Sequence, residues 1–278
     1  MVTRIITGLL MLAVAIPVLI FSHTIVLDIA VAALCGIGVF EMMRCLGLHK
    51  NYFLAIPSYV MAVAAPALVR HINEFDSAWI IIFAVIYIYA LYVLACAMFS
   101  QGGIRSKDAA KAFLSTMYII CGFSCLVATR DLAHGAFMLC MILVVAFATD
   151  IFAYFSGMLF GRHKLIPLVS PKKTVEGAIG GTIISASAFV GCAFLYSYIY
   201  NTERPHALAL FLCGIALSIV SQIGDLIASY IKRERDVKDY GNLFPGHGGV
   251  LDRFDSVIAV APLMFLIFVN PGFVSAFG

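Results

Sequence analysis

Residues 229–255 read SYIKRERDVKDYGNLFPGHGGVLDRFD, which is the longest strongly polar interval in a chain that is 63% apolar. Long apolar segments adjoin this stretch on both sides. It concentrates carboxylates, cations and glycines, whereas an ordinary connecting loop needs only polarity and a turn. Anion binding and metal binding both require charged side chains and accessible backbone. The stretch therefore predicts a functional loop between two apolar segments.

The composition of the chain places it in a membrane. Its 278 residues are only 12% charged and have a mean hydropathy of +1.02, which no soluble domain of this size could bury. We predict an all-α, polytopic transmembrane helical bundle of about nine spans. The predicted spans are 5–22, 24–41, 53–69, 78–99, 112–129, 133–154, 177–200, 207–231 and 255–270.

The predicted spans divide into two parts. Residues 1–130 hold the N-terminal transmembrane helices, and residues 131–278 hold the C-terminal transmembrane helices whose cytoplasmic loops carry the chemistry. Residues 1–21 resemble a signal peptide in their basic start and apolar run. No small-residue cleavage site is evident, so we interpret them as a retained first helix. The eight cysteines form no C-x-x-C pair, which argues against a disulfide framework and a metal-thiolate site.

The distribution of lysine and arginine predicts the orientation. With the N-terminus inside, only Arg70, Arg130 and Arg204 of the eighteen Lys and Arg residues lie outside. Cytoplasmic loops carry such an excess of cations. The polar stretch and the loop at 161–176 therefore share the predicted cytoplasmic side, and the C-terminus is predicted to be external.

The eighth predicted span carries a polar stripe. Its members recur at helical spacings of three and four, so they line one face: Ser218, Ser221, Gln222, Asp225, Ser229 and Lys232. An ionised carboxylate at the depth of Asp225 is costly and usually faces a partner, a cavity or an ion. A functional acid is the favoured interpretation, and a structural ion pair is the alternative.

Two further motifs precede this stripe. The sixth span ends in ATDIFAYFSGMLFGR, where Asp150, Tyr154 and Gly157 share a helix face. The next loop, SPKKTVEG at 170–177, opens on Ser170 and Pro171, which favour a turn. Its two lysines lie beside a helix N-terminus, where anions are attracted. Thr174 and Glu176 can cap that helix or bind a ligand.

The polar stretch supplies more candidate ligands. Asp252 and Asp255 are three residues apart, and with Asp225 they resemble ligands for a hard cation. The glycines at 246, 248 and 249 leave backbone amides accessible to phosphate. Neither a P-loop nor a Rossmann glycine motif is present. His247 is either an ordinary loop histidine or a catalyst.

These motifs together resemble one enzyme family. The pattern S-x-x-K-R, four residues, K-D, then F-P-G-H-G-G-x-x-D-R-F-D is similar to the signature of the phosphatidate cytidylyltransferase (CDP-diacylglycerol synthase) family, and it matches throughout 229–255. The segments D-x-x-A-Y-x-x-G at 150–157, S-P-K-K-T-x-E-G at 170–177 and G-D-L-x-x-S at 224–229 are also similar to that family. The resemblance covers about 145–256; the N-terminal half resembles the family only in being a run of spans.

The resemblance implies a reaction and its partners. The family joins CTP to phosphatidic acid, giving CDP-diacylglycerol and pyrophosphate with the help of Mg²⁺. It implies an integral protein of the cell (inner) membrane, in contact with the lipid bilayer, with its active site on the cytoplasmic side. Nucleic acid is not an expected partner. A homodimer, a second cation, the acyl-chain preference and dCTP use stay open.

The resemblance also implies roles for individual residues. The implied metal ligands are Asp225, Asp252 and Asp255. Asp150 would either contact these ligands from outside or bind a second cation. The implied catalytic residues are Asp225, Asp252, Asp255, Lys232 and His247, where His247 either binds leaving pyrophosphate or shuttles a proton. The residues implied to hold and orient the substrates are Ser170, Lys172, Lys173, Glu176, Ser229, Lys238, Gly248, Gly249 and Arg253.

Other classes of protein stay open at this point. In a secondary transporter, Asp150 and Asp225 would relay ions or protons, but such a relay does not explain the polar stretch. A CDP-alcohol phosphotransferase would need a D-G-x-x-A-R segment before Asp252, and that segment is missing. Relatives that act on other lipid phosphates are the nearest rival.

Overall fold

The computed structural model describes residues 2–72, 78–202 and 204–269. The described chain forms nine helices and one two-stranded hairpin. The N-terminal helices are α1 (Val2–Ile20), α2 (Ile25–Cys45), α3 (Tyr52–Ile72), α4 (Ala78–Phe99) and α5 (Ser106–Arg130). The later elements are α6 (Gly135–Phe160), β1 (Lys164–Ile166), β2 (Ser170–Thr174), α7 (Val175–Tyr200), α8 (Ala207–Glu234) and α9 (Leu251–Phe268).

The helices confirm the predicted all-α polytopic class. Within the described ranges, seven helices, α2 to α8, are long and apolar enough to cross a membrane. A spanning helix needs about 20 predominantly apolar residues because it must match the hydrocarbon thickness. The apolar part of α1, Ile6–Ile20, is shorter. The end of the predicted ninth span at residue 270, and the predicted external C-terminus, lie outside the described residues.

The chain divides into two compact units. The first unit contains the residues up to Asp131 together with Arg235–Arg253, and the second contains Leu132–Glu234 together with the residues from Phe254 onward. The sequence prediction placed its boundary between residues 130 and 131. In the structure, the segment Arg235–Arg253 from the polar stretch groups with the N-terminal helices.

The N-terminal unit is built around α2. This helix packs against α3 and α5, which also pack against each other. Leu27, Val31, Cys35, Val39 and Met42 are buried on α2, and their spacing of three or four residues places them on one stripe of the helix. The outer helix α4 buries only Tyr89 and Val93, so its remaining apolar surface suits contact with lipid.

Small residues bring the helices of the C-terminal unit together. Gly177 and Gly181 form a G-x-x-x-G pair on α7, a spacing that allows two helix backbones to approach closely. A Cβ atom on Gly181 would lie 2.8 Å from the Cβ atom of Ala153 on α6. The Thr149 hydroxyl of α6 lies within hydrogen-bond distance of the Ser185 hydroxyl of α7, at 3.0 Å, and of the Ser218 hydroxyl of α8, at 2.9 Å. Close packing and hydroxyl hydrogen bonds therefore hold α6, α7 and α8 together.

The contact between α6 and α7 makes a testable prediction about stability. We expect Gly181→Ala to lower the free energy of unfolding by about 1–3 kcal/mol, because the added methyl group overpacks a backbone contact. Gly191→Ala on the same helix is the matched control, since its Cβ would meet nothing within 4 Å. Thermal unfolding in detergent measures both variants. Equal stability of the two variants would contradict this account of the packing.

The loop between α6 and α7 corrects one sequence prediction. Ser170 and Pro171 were predicted to form a turn, but they belong to β2, which pairs antiparallel with β1. The turn lies at residues 167–169 instead. It falls there because the pairing of Ile166 with Ser170 leaves three residues to close the hairpin. Thr174 confirms its predicted capping role, since its side chain accepts a hydrogen bond from the Gly177 N–H at 3.1 Å.

Candidate active site

A cavity lined by both charged and apolar side chains lies within the C-terminal unit. Its volume is about 350 Å³, and α6, the hairpin, α7 and α8 contribute to its wall. The charged and hydroxyl residues on the wall are Asp150, Tyr154, Ser170, Lys172, Lys173, Thr174 and Asp225. Three motifs that are far apart in the sequence thus meet at one cavity.

An ion pair joins two of these motifs. The Lys173 ammonium of β2 contacts the Asp225 carboxylate of α8, and both side chains are roughly three-quarters buried. The sequence alone left Asp225 open between a functional acid and a structural ion pair. The structure shows an ion pair that lines the cavity, so a ligand in the cavity can reach both charges.

The polar stripe of α8 faces the interior of its unit. Ser218 and Ser221 are fully buried, and Lys232 is 9% exposed. Gln222 donates hydrogen bonds to the Thr182 hydroxyl at 2.8 Å and to the Ala178 carbonyl at 3.3 Å. Ser229 is half-buried. The predicted common face is confirmed, and hydrogen bonds to α7 place it beside the cavity.

Asp255 lies close enough to other charged residues of the same unit to interact with them electrostatically. This residue of α9 is 8% exposed, and the charges of Asp225, Asp150 and Lys232 act on its carboxylate. Ser256, the next residue, donates a hydrogen bond from its hydroxyl to Asp150 at 3.2 Å. The C-terminal unit therefore gathers three carboxylates and two lysines.

The donor set of this unit has the chemistry that a hard divalent cation requires. Carboxylate oxygens are the preferred ligands of Mg²⁺, and Asp150, Asp225 and Asp255 supply them. Among the described residues, no group of three or more His, Cys, Asp and Glu side chains has the geometry of a formed metal site. The Lys173 ammonium supplies a positive charge to Asp225 in this arrangement.

Glu176, a predicted substrate-binding residue, makes local contacts. Its carboxylate accepts hydrogen bonds from the backbone N–H groups of Arg162 and His163 at 3.0 and 3.2 Å. The His163 imidazole lies 2.6 Å from the same carboxylate. Glu176 thus fixes the start of the hairpin, and its contact with substrate stays a prediction. Lys172 is exposed, whereas Lys173 is partly buried.

The FPGH sequence within the polar stretch forms a tight turn in the N-terminal unit. The His247 N–H donates to the Phe244 carbonyl at 2.8 Å. Pro245 is the second residue of the turn, and Gly246 has a φ of +79° at the third, which is the combination that a type II turn favours. The backbone N–H of Phe244 donates to the Gly248 carbonyl, and the backbone N–H of Gly248 donates to the Phe244 carbonyl. The turn ends the loop compactly before α9 begins.

The buried carboxylate of Glu41 on α2 binds the end of this loop, where α9 begins. It is 3% exposed and accepts hydrogen bonds from the backbone N–H groups of Val250 and Leu251, each at 3.0 Å. A Cβ on Gly249 would lie 2.5 Å from the Glu41 carboxyl carbon, and one on Gly241 would lie 2.8 Å from it. The glycines of the loop therefore make room for Glu41.

The predicted metal ligand Asp252 also binds the loop. Its Oδ2 accepts hydrogen bonds from the backbone N–H groups of Tyr240 at 2.7 Å and Gly249 at 2.9 Å. Arg44 of α2 donates to the Tyr240 carbonyl at 2.6 Å. Arg235 contacts Asp108 at the start of α5 at 2.7 Å. These contacts explain why the segment groups with the N-terminal helices.

The remaining predicted residues of the loop have different surroundings. Lys238 and Arg253 are exposed. The Gly248 N–H donates to the Phe244 carbonyl, and the Gly249 N–H donates to Asp252, so both amides are engaged within the loop. In the part of the chain that the structure describes, the His247 Nδ1 is buried without a hydrogen-bond partner. Roles for these residues toward substrate stay predictions.

Sequence reasoning missed Glu41 and Arg44. A signal for Glu41 was present, because an acidic residue within an apolar span is a functional-site candidate by default. Its partner was hidden, since Glu41 and Val250 are 209 residues apart. No pattern of spacing connects residues across that distance.

The fold and the cavity define an integral membrane protein with a charged cavity in its C-terminal unit. A sequence model described as the cytidylyltransferase family matches residues 2–270. The chain belongs to this family.

Curated relatives align along almost the whole chain. A phosphatidate cytidylyltransferase from Staphylococcus aureus (strain COL) is 32% identical over 274 residues, and one from Staphylococcus haemolyticus (strain JCSC1435) is 31% identical over 270 residues. A third, from Staphylococcus epidermidis (strain ATCC 12228 / FDA PCI 1200), is 30% identical. Each alignment covers 97% of this chain and 100% of the relative.

Proposed function

We propose that this protein is a phosphatidate cytidylyltransferase, which transfers CMP from CTP to phosphatidate and releases pyrophosphate. The family match and the full-length relatives support this activity. The observation that carries it in the structure is the cavity that Lys172 and Lys173 line together with Asp225 and Asp150. Such a cavity combines cations for phosphates with carboxylates for a divalent ion.

The reaction requires little help from a general base. The phosphomonoester of phosphatidate has a second pKa of about 6, so one of its oxygens is already an anionic nucleophile near neutral pH. That oxygen attacks the α-phosphorus of CTP and forms the new P–O bond. The bond from the α-phosphorus to the bridging oxygen breaks, and pyrophosphate leaves with the electron pair. The main obstacle is repulsion between the two polyanions.

The residues of the cavity address this repulsion. Lys172 and Lys173 bind phosphate oxygens, and Ser170 on the same strand orients them. A bound Mg²⁺ would supply further charge neutralisation and alignment of the two reactants. Asp225, Asp255 and Asp150 would hold it. Asp252 remains a predicted ligand, and Lys232 and Lys238 remain predicted contacts to phosphate.

The activity is tested with CTP labelled at one phosphorus at a time. Purified protein is incubated with phosphatidate, Mg²⁺ and either α-labelled or γ-labelled CTP, and the lipid is then extracted. We expect the α label in the lipid phase and the γ label in the aqueous phase as pyrophosphate. Two results would rule out this reaction. One is the γ label in the lipid phase, and the other is the absence of the α label from the lipid phase when the protein is folded. The same assay with other lipid phosphates separates this function from its nearest rival.

The orientation of the site is a further part of the proposal. We place the N-terminus and the site on the cytoplasmic side of the cell membrane, because the cations concentrate there. Single cysteines at Lys50, Lys172 and Lys238, in a background without native cysteines, should resist an impermeant maleimide in intact cells. They should react after the membrane is opened. Labelling of any of the three in intact cells would contradict this topology.

A further inference from the structure

The cavity of the C-terminal unit has an apolar edge formed by α6 and β1. Tyr154 and Met158 line the cavity together with Leu165 of β1. Tyr154 is 66% exposed and Met158 is 61% exposed. The two residues are four apart, so they lie on the same side of the helix about 6 Å from each other along its axis. We call Tyr154, Met158 and Leu165 the apolar edge.

The surface around the apolar edge is suited to lipid. Phe155, Leu159 and Phe160 are also exposed on the last turns of α6, and α6 is one of the candidate membrane spans. Large apolar side chains on the outside of a spanning helix contact the hydrocarbon of the bilayer. The apolar edge differs from these neighbours because it also faces the lysines of the cavity.

A lipid phosphate is the ligand that needs both surfaces at once. Its phosphate must reach Lys172 and Lys173, while its acyl chains gain nothing by leaving the hydrocarbon. The cavity offers cations on one wall and Tyr154 and Met158 on another. A soluble nucleotide needs the cations, but it does not need an apolar surface that continues onto the outside of a spanning helix.

We propose that the apolar edge binds the acylglycerol part of phosphatidate, with Tyr154 and Met158 contacting the first carbons of an acyl chain. The chain thus enters the site sideways from the bilayer along α6. This inference rests on the proposed function and deepens it, since it assigns a lipid subsite to the cavity. CTP makes no contact with this edge.

The test compares two adjacent residues of α6. Met158→Ala removes a side chain that lines the cavity, and Leu159→Ala removes one of similar exposure, 68%, that is absent from the cavity wall. In mixed micelles we expect Met158→Ala to raise the KM for phosphatidate by about three- to tenfold, because apolar contact area is lost. Its KM for CTP should stay unchanged, and Leu159→Ala should match the wild type in both constants.

A second measurement does not depend on turnover. Phosphatidate with a photoreactive group near the glycerol should label the peptide that contains residues 151–165, and excess unlabelled phosphatidate should compete. Equal kinetic effects of Met158→Ala and Leu159→Ala would indicate bulk lipid contact and overturn the inference. Labelling that is confined to other helices would overturn it as well. Absence of CMP transfer by the wild type would instead reject the proposed function, so the two failures are distinguishable.

Discussion

Asp225→Asn is expected to lower the turnover number of CMP transfer by about 10²–10³-fold, the usual loss when a preorganised charge contact is removed from an active site. Asparagine keeps the size of the side chain and one carbonyl oxygen, but it removes the charge. Both side chains of the ion pair with Lys173 are roughly three-quarters buried, so removing one charge costs some stability. The asparagine carbonyl oxygen can still accept a hydrogen bond from the Lys173 ammonium, so we expect the fold to survive, and thermal unfolding in detergent checks this.

The divalent ion and the lysine provide the controls for Asp225→Asn. If Asp225 is a metal ligand, added Mg²⁺ should partly restore turnover, whereas it should not rescue a purely structural defect. Lys173→Met and the double variant complete a mutant cycle. The effects of the two substitutions on turnover should be strongly non-additive, because the two side chains are in contact. Full activity of Asp225→Asn at ordinary Mg²⁺ would exclude this site.

Glu41→Gln is expected to lower turnover by about ten- to hundredfold through the loop that precedes α9. Glutamine retains a single carbonyl oxygen and turns an N–H donor toward a second donor, so one of the two hydrogen bonds to Val250 and Leu251 is lost. Hydrogen bonds to charged groups contribute about 1.5–3 kcal/mol. Hydrogen exchange of the peptide that covers residues 241–253 should accelerate in parallel with the loss of activity.

Asp28→Asn is the matched control for Glu41→Gln. Asp28 is the other buried acid of α2, and it pairs with Arg70 at 3.2 Å rather than with the loop. We expect this variant to lose stability while exchange in the loop stays as in the wild type. If Asp28→Asn accelerates exchange of residues 241–253 as much as Glu41→Gln does, Glu41 acts through the general stability of α2. Unchanged exchange and turnover in Glu41→Gln would show that Glu41 does not support the loop.

The sequence by itself determined the class of the protein and the faces of its helices. Apolar runs of about 20 residues report membrane spans directly, because bilayer thickness fixes their length. The stripe of α8, with Ser218, Gln222 and Asp225, followed from a period of 3.6 residues that is local to one helix. Charged motifs within an apolar chain also stood out, since each ionisable residue there needs a partner.

The tertiary structure alone decided which faces meet. Periodicity shows that Asp225 and Glu41 are on particular faces, but it cannot show that one faces Lys173 and the other faces the backbone of Val250. It could not foresee that Ser170 and Pro171 belong to a strand, because that depends on pairing with β1. Such contacts arise from close packing between segments that are remote in the chain. A local pattern therefore fixes the side of a helix on which a residue lies, and packing fixes the partner that it finds there.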